Sequence, residues 1–318
     1  MAKRYVGIDL GGTNLKLGLV SADGELLQRH STPTEASEGP EHVLARMAQA
    51  VRHLAGEADL ALEDIAAVGV GVPGPLDSAE GVVHFTPNLA GWINVPVRAT
   101  LQDALGRTVV VENDANSAAY GEFRVGAGRD VQSMFVLTLG TGVGGGIIQD
   151  GRLLRGTTDT GAELGHVIVQ YGGRLCGCGN RGCLEAYASA TAVVDRFRQE
   201  GGVSELSRRQ DLEAKDIFEA AAEGNKPAAR IVSETAEYLA VGITSILHAL
   251  NPEMVVLTGG MANRDEPLVR EVRGHVQRLA FPSAWDACEI RVSTLGGHAG
   301  ILGAALAAEA FDRTGERA

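Results

Sequence analysis

His166 is followed by Cys176-Gly-Cys178 and then Cys183 in a short glycine-rich stretch bracketed by Glu163 and Glu185. One imidazole and three thiolates are a donor set that tetrahedral Zn2+ prefers. Four protein ligands leave no open position, so the set reads as a structural zinc rather than a catalytic one. Such a metal would order a loop with too few apolar residues to order itself, and with it Glu163 and Glu185. The competing reading is unrelated thiols or a disulfide. Cys-Gly-Cys is too tight for an easy bridge between its own members, and clustered cysteines without a secretory signal serve metals more often than disulfides. Cys288 stands alone and reads as a free thiol.

A second chemistry lies in three glycine loops, each at the end of an apolar run. Gly11-Gly12-Thr13 follows Asp9, Gly140-Thr141-Gly142 follows Leu139, and Gly259-Gly260 follows Thr258. Glycines let backbone N–H groups approach a phosphate, a threonine hydroxyl adds a donor, and Asp9 is a carboxylate suited to Mg2+. The third loop could lie against a nucleoside. The run Gly140 to Gly145 matches G-x-G-x-x-G, but it leads into another strand pattern rather than a helix, which argues against a dinucleotide fold. No lysine follows a glycine, so a Walker A loop is absent as well. Asp114 ends the apolar run Val109 to Val111, a place where α/β proteins bind ligands. It could be a plain helix N-cap or a general base. Asn113, Glu163, His166 and Glu185 keep it company, and such groups suit a polyol, whose hydroxyls both donate and accept. Phosphoryl transfer needs mainly positioning, charge neutralisation and one carboxylate to take the hydroxyl proton.

The elements that must carry these groups show an internal echo. Tyr5 to Thr13 is an apolar strand entering a glycine loop, followed by a strand (Leu15 to Val20), an Asp23-Gly24 turn and Glu25-Leu26-Leu27. Met134 to Gly142 repeats the plan, with Ile147-Ile148, an Asp150-Gly151 turn and Arg152-Leu153-Leu154. Two copies predict two α/β domains. Helices are expected over Glu41–Ala55, Ala115–Phe123, Pro227–Leu250 and Gly300–Phe311, with strands at Val68–Val72, Thr108–Val111 and Met254–Leu257. The polar stretch Gly201–Lys215 is the expected mobile surface. The chain has 318 residues, 45% of them hydrophobic, and a formal net charge of −12 without basic clusters. That balance argues against nucleic acid or an anionic membrane as partner. With no apolar leader and no membrane-length run, a cytoplasmic protein is expected.

Together these residues resemble the ROK family of sugar kinases and related repressors, within the actin/hexokinase-type ATPase superfamily. The resemblance runs from Asp9-Leu-Gly-Gly-Thr13 to Ala299-Gly-Ile-Leu-Gly-Ala304, and Glu163-Leu-Gly-His166 with the cysteines is its most specific part. It implies a two-domain actin/hexokinase-like (ribonuclease H-like) α/β fold with a cleft between domains. The small domain would be 1–114, completed by a C-terminal helix at about 300–318, and the large domain 115–299 would carry the zinc loop. ATP phosphates would sit on Gly11, Gly12, Thr13, Gly140, Thr141 and Gly142, with Mg2+ near Asp9 and the nucleoside near Gly259 and Gly260. Sugar contacts would come from Gly74, Asn88, Asn113, Asp114, Glu163, His166 and Glu185, with Asp114 the base and His166 shared between zinc and sugar. Family members commonly form homodimers. Gly296-Gly297-His298 departs from the acidic residue relatives often carry there.

Within the family, a kinase competes with a sugar-sensing regulator. The first strand begins at about Tyr5, leaving no room for the N-terminal helix-turn-helix of such regulators, and the acidic charge opposes DNA binding. Pro73-Gly74-Pro75, Thr86-Pro87-Asn88-Leu89 and Gly91-Trp92 resemble bacterial glucokinases, which implies transfer to the 6-hydroxyl of glucose. N-acetylmannosamine or N-acetylglucosamine is the alternative acceptor, then fructose or allose. Polyphosphate is an alternative donor, although no added basic cluster is present to hold it.

Overall fold

The computed structural model describes residues 3–86, 89–202, 204–262 and 266–318. In chain order its elements begin with β1 (Arg4–Leu10), β2 (Asn14–Ser21) and β3 (Leu26–Pro33), then α1 (Pro40–Glu57) and β4 (Ile65–Val72). Short strands β5 (Leu76–Asp77), β6 (Val82–Phe85) and β7 (Ile93–Val95) precede α2 (Val97–Leu105), β8 (Thr108–Asn113) and α3 (Asp114–Val125). The second copy of the plan is β9 (Met134–Leu139), β10 (Val143–Gln149) and β11 (Arg152–Leu153). After the cysteine loop come α4 (Glu185–Ala188), α5 (Ala190–Glu200), α6 (Ala214–Ala222) and α7 (Lys226–Leu250). The chain closes with β12 (Met254–Thr258), α8 (Glu266–Leu279), α9 (Pro282–Asp286), β13 (Glu289–Val292) and α10 (Ala299–Thr314).

The echo in the sequence is an echo in topology. One sheet runs β3-β2-β1-β4-β8 and the other β11-β10-β9-β12-β13, each an antiparallel hairpin followed by parallel strands. β4 and β12 are buried along nearly their whole lengths, as parallel strands covered on both faces must be. The second hairpin turns at Asp150 and Gly151, both with positive φ (50° and 75°), the backbone that makes Asp-Gly a hairpin signal.

The chain divides into two compact units, Met1–Val131 with Gly146–Ala162 and Gly297–Ala318, and Gln132–Gly145 with Glu163–Gly296. The first division falls after Val131, which keeps α3 in the same unit as α10, and the two helices pack together. Cβ atoms at Gly121 and Gly303 would strike the facing backbones at Ala299 and Ser117, so these glycines set how closely the two helices approach. The same helix covers the first sheet, lying against Gly7 of β1 and Gly69 of β4, where any side chain would meet the carbonyls of Ile301 and Ala304. On the other face of that sheet α1 buries Val43, Leu44, Met47, Val51 and Leu54, the face its spacing predicted. Among the described residues no helix is long and apolar enough to cross a membrane.

Candidate functional site

In the first unit, Asp9 sits at the end of β1, with Lys16 opposite it on β2 and its Nζ 3.7 Å from the carboxylate. Burial raises the Asp9 pKa, against the pull of Lys16. A divalent cation is the kind of partner that would keep such a carboxylate ionised, so the residue fits the Mg2+ role its position implied. The adjoining Gly11–Thr13 loop is pinned from behind. Thr34 Oγ1 donates to the Gly11 carbonyl at 2.6 Å, and the Thr34 N–H donates to the Thr13 carbonyl at 2.9 Å. Gly12 and Thr13 are left exposed at the tip. Neither Lys16 nor Thr34 is marked by a glycine motif; their roles come from strand pairing.

Asp114 is the first residue of α3 and is half-buried. Asn113, not Asp114, is the N-cap of that helix: its Oδ1 accepts from Ala115 N at 2.9 Å and Asn116 N at 3.1 Å. Asp114 accepts from Ala115 N as well, at 2.8 Å. The helix end therefore does not by itself account for an aspartate at 114. The Asn113 amide donates to the Gly74 carbonyl at 3.4 Å, so three of the proposed sugar residues, Gly74, Asn113 and Asp114, are brought together here. Gly74 has φ of 93° and faces the Phe85 carbonyl too closely for a side chain. Asn88 lies outside the described residues.

Beneath this turn lies a buried ion pair the sequence did not reveal. Arg155 Nε and Nη2 reach Glu112 Oε2 at 2.8 and 2.6 Å, and Glu112 Oε1 accepts from Asn113 N at 3.0 Å and Asn116 Nδ2 at 3.1 Å. Arg155 also donates to the Ala318 carbonyl. One carboxylate thus holds the peptide just before Asp114. Arg155→Met would leave that carboxylate buried and unpaired, which costs about 3–5 kcal/mol. The expected result is a large fall in the urea midpoint, recovered in good part by adding Glu112→Leu, because replacing both members of such a pair is tolerated better than removing one.

In the second unit, the sulfur and nitrogen atoms of His166, Cys176, Cys178 and Cys183 all lie within 4.8 Å of one another. Cys176 Sγ is 3.8 Å from His166 Nδ1, and Cys178 Sγ is 3.7 Å from Cys183 Sγ. Zn–S bonds of about 2.3 Å arranged tetrahedrally put sulfurs about 3.8 Å apart, whereas a disulfide needs about 2.05 Å. The donor set and its spacing fit Zn2+. Burial pushes the Cys176 thiol up to about 12 and raises Cys183 as well. At Cys178 burial acts upward too, but the Asn180 N–H and neighbouring thiols outweigh it and lower the pKa.

Glu185 joins this cluster to the second glycine loop. Its Oε1 lies 3.6 Å from Cys176 Sγ, and its Oε2 accepts from Val143 N at 3.0 Å. The Glu163 carbonyl accepts from His166 N at 3.0 Å in the short helical turn Leu164–His166. Gly165 in that turn meets the Val143 carbonyl at a distance only glycine permits. Glu163, His166 and Glu185 are therefore fixed around the start of β10.

The loop Gly140–Gly142 leads straight into β10, so the strand reading was right and the dinucleotide reading stays excluded. The Gly140 carbonyl accepts from Ala190 N at 2.8 Å and the Thr141 carbonyl from Thr191 Oγ1 at 2.9 Å. Gly259, with φ of 95°, presses on the backbone of Leu139. Gly140, Thr141, Gly260 and Met261 share a cavity of about 800 Å3 in this unit. Its apolar wall is Leu212, Phe218 and Ala222, and Asp195, Arg198 and Lys215 supply charge. That is the size and mixture of a small-molecule site. Part of Gly201–Lys215, expected as mobile surface, thus lines the cavity, and Leu212 is buried in it.

The ROK family model matches residues 5–310. A glucokinase from Thermotoga maritima is 40% identical over 95% of this chain and 96% of its own. Among solved structures, the ROK hexokinase from Thermus thermophilus superposes with a TM-score of 0.85 at 36% identity, covering 98% of this chain and 99% of that one. A ROK family glucokinase from Streptomyces griseus, in complex with glucose and AMPPNP, gives a TM-score of 0.84 at 32% identity, covering 96% and 99%.

Proposed function

Because the chain belongs to the ROK family, we propose that it is a glucokinase, moving the γ-phosphate of ATP to the 6-hydroxyl of glucose with Asp114 as base. The observation that carries this reading is the turn at Asp114. The capping work is done by Asn113, the peptide is held from below by Glu112 and Arg155, and a half-buried carboxylate stands at the mouth of α3. A carboxylate so held is suited to take the proton of an attacking hydroxyl. The glucose- and AMPPNP-bound relative supports both substrates.

The other residues divide the work. Gly74, Asn88, Asn113, Glu163, His166 and Glu185 would position the sugar. His166 would turn Nδ1 to the metal and Nε2 to a hydroxyl, which sets its tautomer. Gly11, Gly12, Thr13, Gly140, Thr141 and Gly142 would hold the phosphates. The nucleoside would lie near Gly259, in the cavity lined by Gly260 and by Phe218, the aromatic ring among the residues lining it. Mg2+ at Asp9, when bound, neutralises charge on the phosphates. Zn2+ on His166, Cys176, Cys178 and Cys183 holds the sugar-facing loop. A cytoplasmic homodimer, implied by the resemblance, belongs to the same reading.

The test is ADP release from MgATP with glucose, N-acetylmannosamine, N-acetylglucosamine, fructose and allose. Glucose is expected to give the highest kcat/KM by far. Preference for an acetamido sugar would keep the mechanism and overturn the acceptor. No turnover with any sugar, by folded zinc-loaded protein, would favour a sugar sensor. Measuring sugar phosphate formed, with polyphosphate in place of ATP, decides the donor.

A further inference from the structure

We propose a further metal site, far in sequence from the cysteine loop, formed by His30, His53 and Glu57 and taking a divalent transition ion such as Zn2+ or Ni2+. β3 is the edge strand of the first sheet, and its burial alternates residue by residue. Gln28, His30 and Thr32 fall on the more buried side, which meets α1: Gln28 Nε2 donates to Glu57 Oε2 at 3.3 Å, and Arg46 Nη2 donates to Thr32 Oγ1 at 2.9 Å. His53 and Glu57 are one turn apart on α1, so both side chains project toward the same spot.

Three donors converge there. His53 Nε2 is 3.4 Å from Glu57 Oε1, His30 Nδ1 is 4.0 Å from Glu57 Oε2, and all three ligand atoms lie within 4.8 Å of one another. The two imidazole rings meet edge to face with centroids 4.6 Å apart. Ligand bonds of about 2.0–2.1 Å set tetrahedral donors about 3.4 Å apart, so closure from separations of at most 4.8 Å needs side-chain rotations that close gaps of no more than about 1.4 Å. His53 and Glu57 are 52% and 43% exposed, which leaves them room for it. Ion pairing alone explains the cluster less well. A single carboxylate serves two rings in contact, and two imidazolium ions would repel at that spacing. A metal resolves the conflict by binding both rings neutral, with the carboxylate as counter-charge. Two imidazoles and a carboxylate suit Zn2+, Ni2+ or Cu2+ and give little purchase to Mg2+. The fourth position opens to solvent. The bound ion would tie the edge strand β3 to α1.

The experiment uses untagged, full-length protein already carrying zinc on its cysteine cluster. Calorimetric titration with further Zn2+ should show one added equivalent, and Cu2+ bound there should show splitting from two nitrogens in its electron paramagnetic resonance spectrum. His53→Ala and His30→Ala should each abolish the added equivalent, while both variants keep the metal-free melting temperature and sugar turnover of the parent. Cys178→Ser should remove the tight equivalent only, so failure of the cysteine site and failure of this one are told apart. No added equivalent in the parent, or an added equivalent that survives both histidine substitutions, overturns the proposal.

Discussion

Asp114→Asn is expected to lower kcat with glucose and MgATP by about two to four orders of magnitude, the range a positioned base contributes. KM for glucose should change little, because an amide of the same shape keeps most ground-state hydrogen bonds. Stability should hardly move. Asn113 already accepts from Ala115 N and Asn116 N, so the helix keeps its cap. What is lost is one carboxylate near the positive end of α3, worth about 0.3–1 kcal/mol at most exposed sites. Steady-state kinetics and a thermal melt on the same preparation separate the outcomes. Wild-type turnover would remove Asp114 from the chemistry. A fall in melting temperature with kcat unchanged would make it a capping residue after all.

Removing zinc is expected to have the second large effect, and an uneven one. Metal analysis should find one zinc per chain bound at the cysteine cluster, and Cys183→Ser should lose it. Cys183 is fully buried and pairs with Ile168 in an isolated bridge, beside a second bridge between Leu175 and Arg181, so the loop keeps its backbone hydrogen bonds but loses the point where its sulfurs converge. KM for glucose should rise by about 10- to 100-fold, the range seen when support behind a binding group is removed. KM for ATP should rise far less, because the cavity walls at Leu212 and Phe218 belong to other segments. Glu185 couples the two, since it touches both Cys176 and Val143 N. Unchanged sugar kinetics in a zinc-free, folded variant would defeat the supporting role.

Much of this was legible in the chain. The repeated strand, glycine loop and Asp-Gly turn foretold two sheets of one plan, because hairpin chemistry is local. The cysteine spacing foretold the cluster for the same reason: its donors lie close in sequence. Partners fixed by long-range topology were not legible. Thr34 meets Gly11 because β3 pairs with β2, Lys16 meets Asp9 through strand register, and Arg155 reaches Glu112 from a distant loop. Nor could charge pattern alone place Leu212 in a cavity wall, since its polar neighbours disguise it. Which compact unit α3 joins is likewise set by distant partners. Helical spacing locates α3, but only the glycines facing α10 show which sheet it belongs with.

The position of α10 has a consequence for the order in which this chain is made. The strands of the first sheet come from residues 4–113, yet the helix that lies on Gly7 and Gly69 comes from residues 299–314. During synthesis that face must wait, bare and apolar, while the whole second unit emerges and folds. The contacts that close it join residues up to about 300 apart in sequence, the kind that form slowly and leave apolar surface exposed in the meantime. The first unit is begun before the second and completed after it, and the turn bearing Asp114 sits on a helix packed against that late-arriving α10.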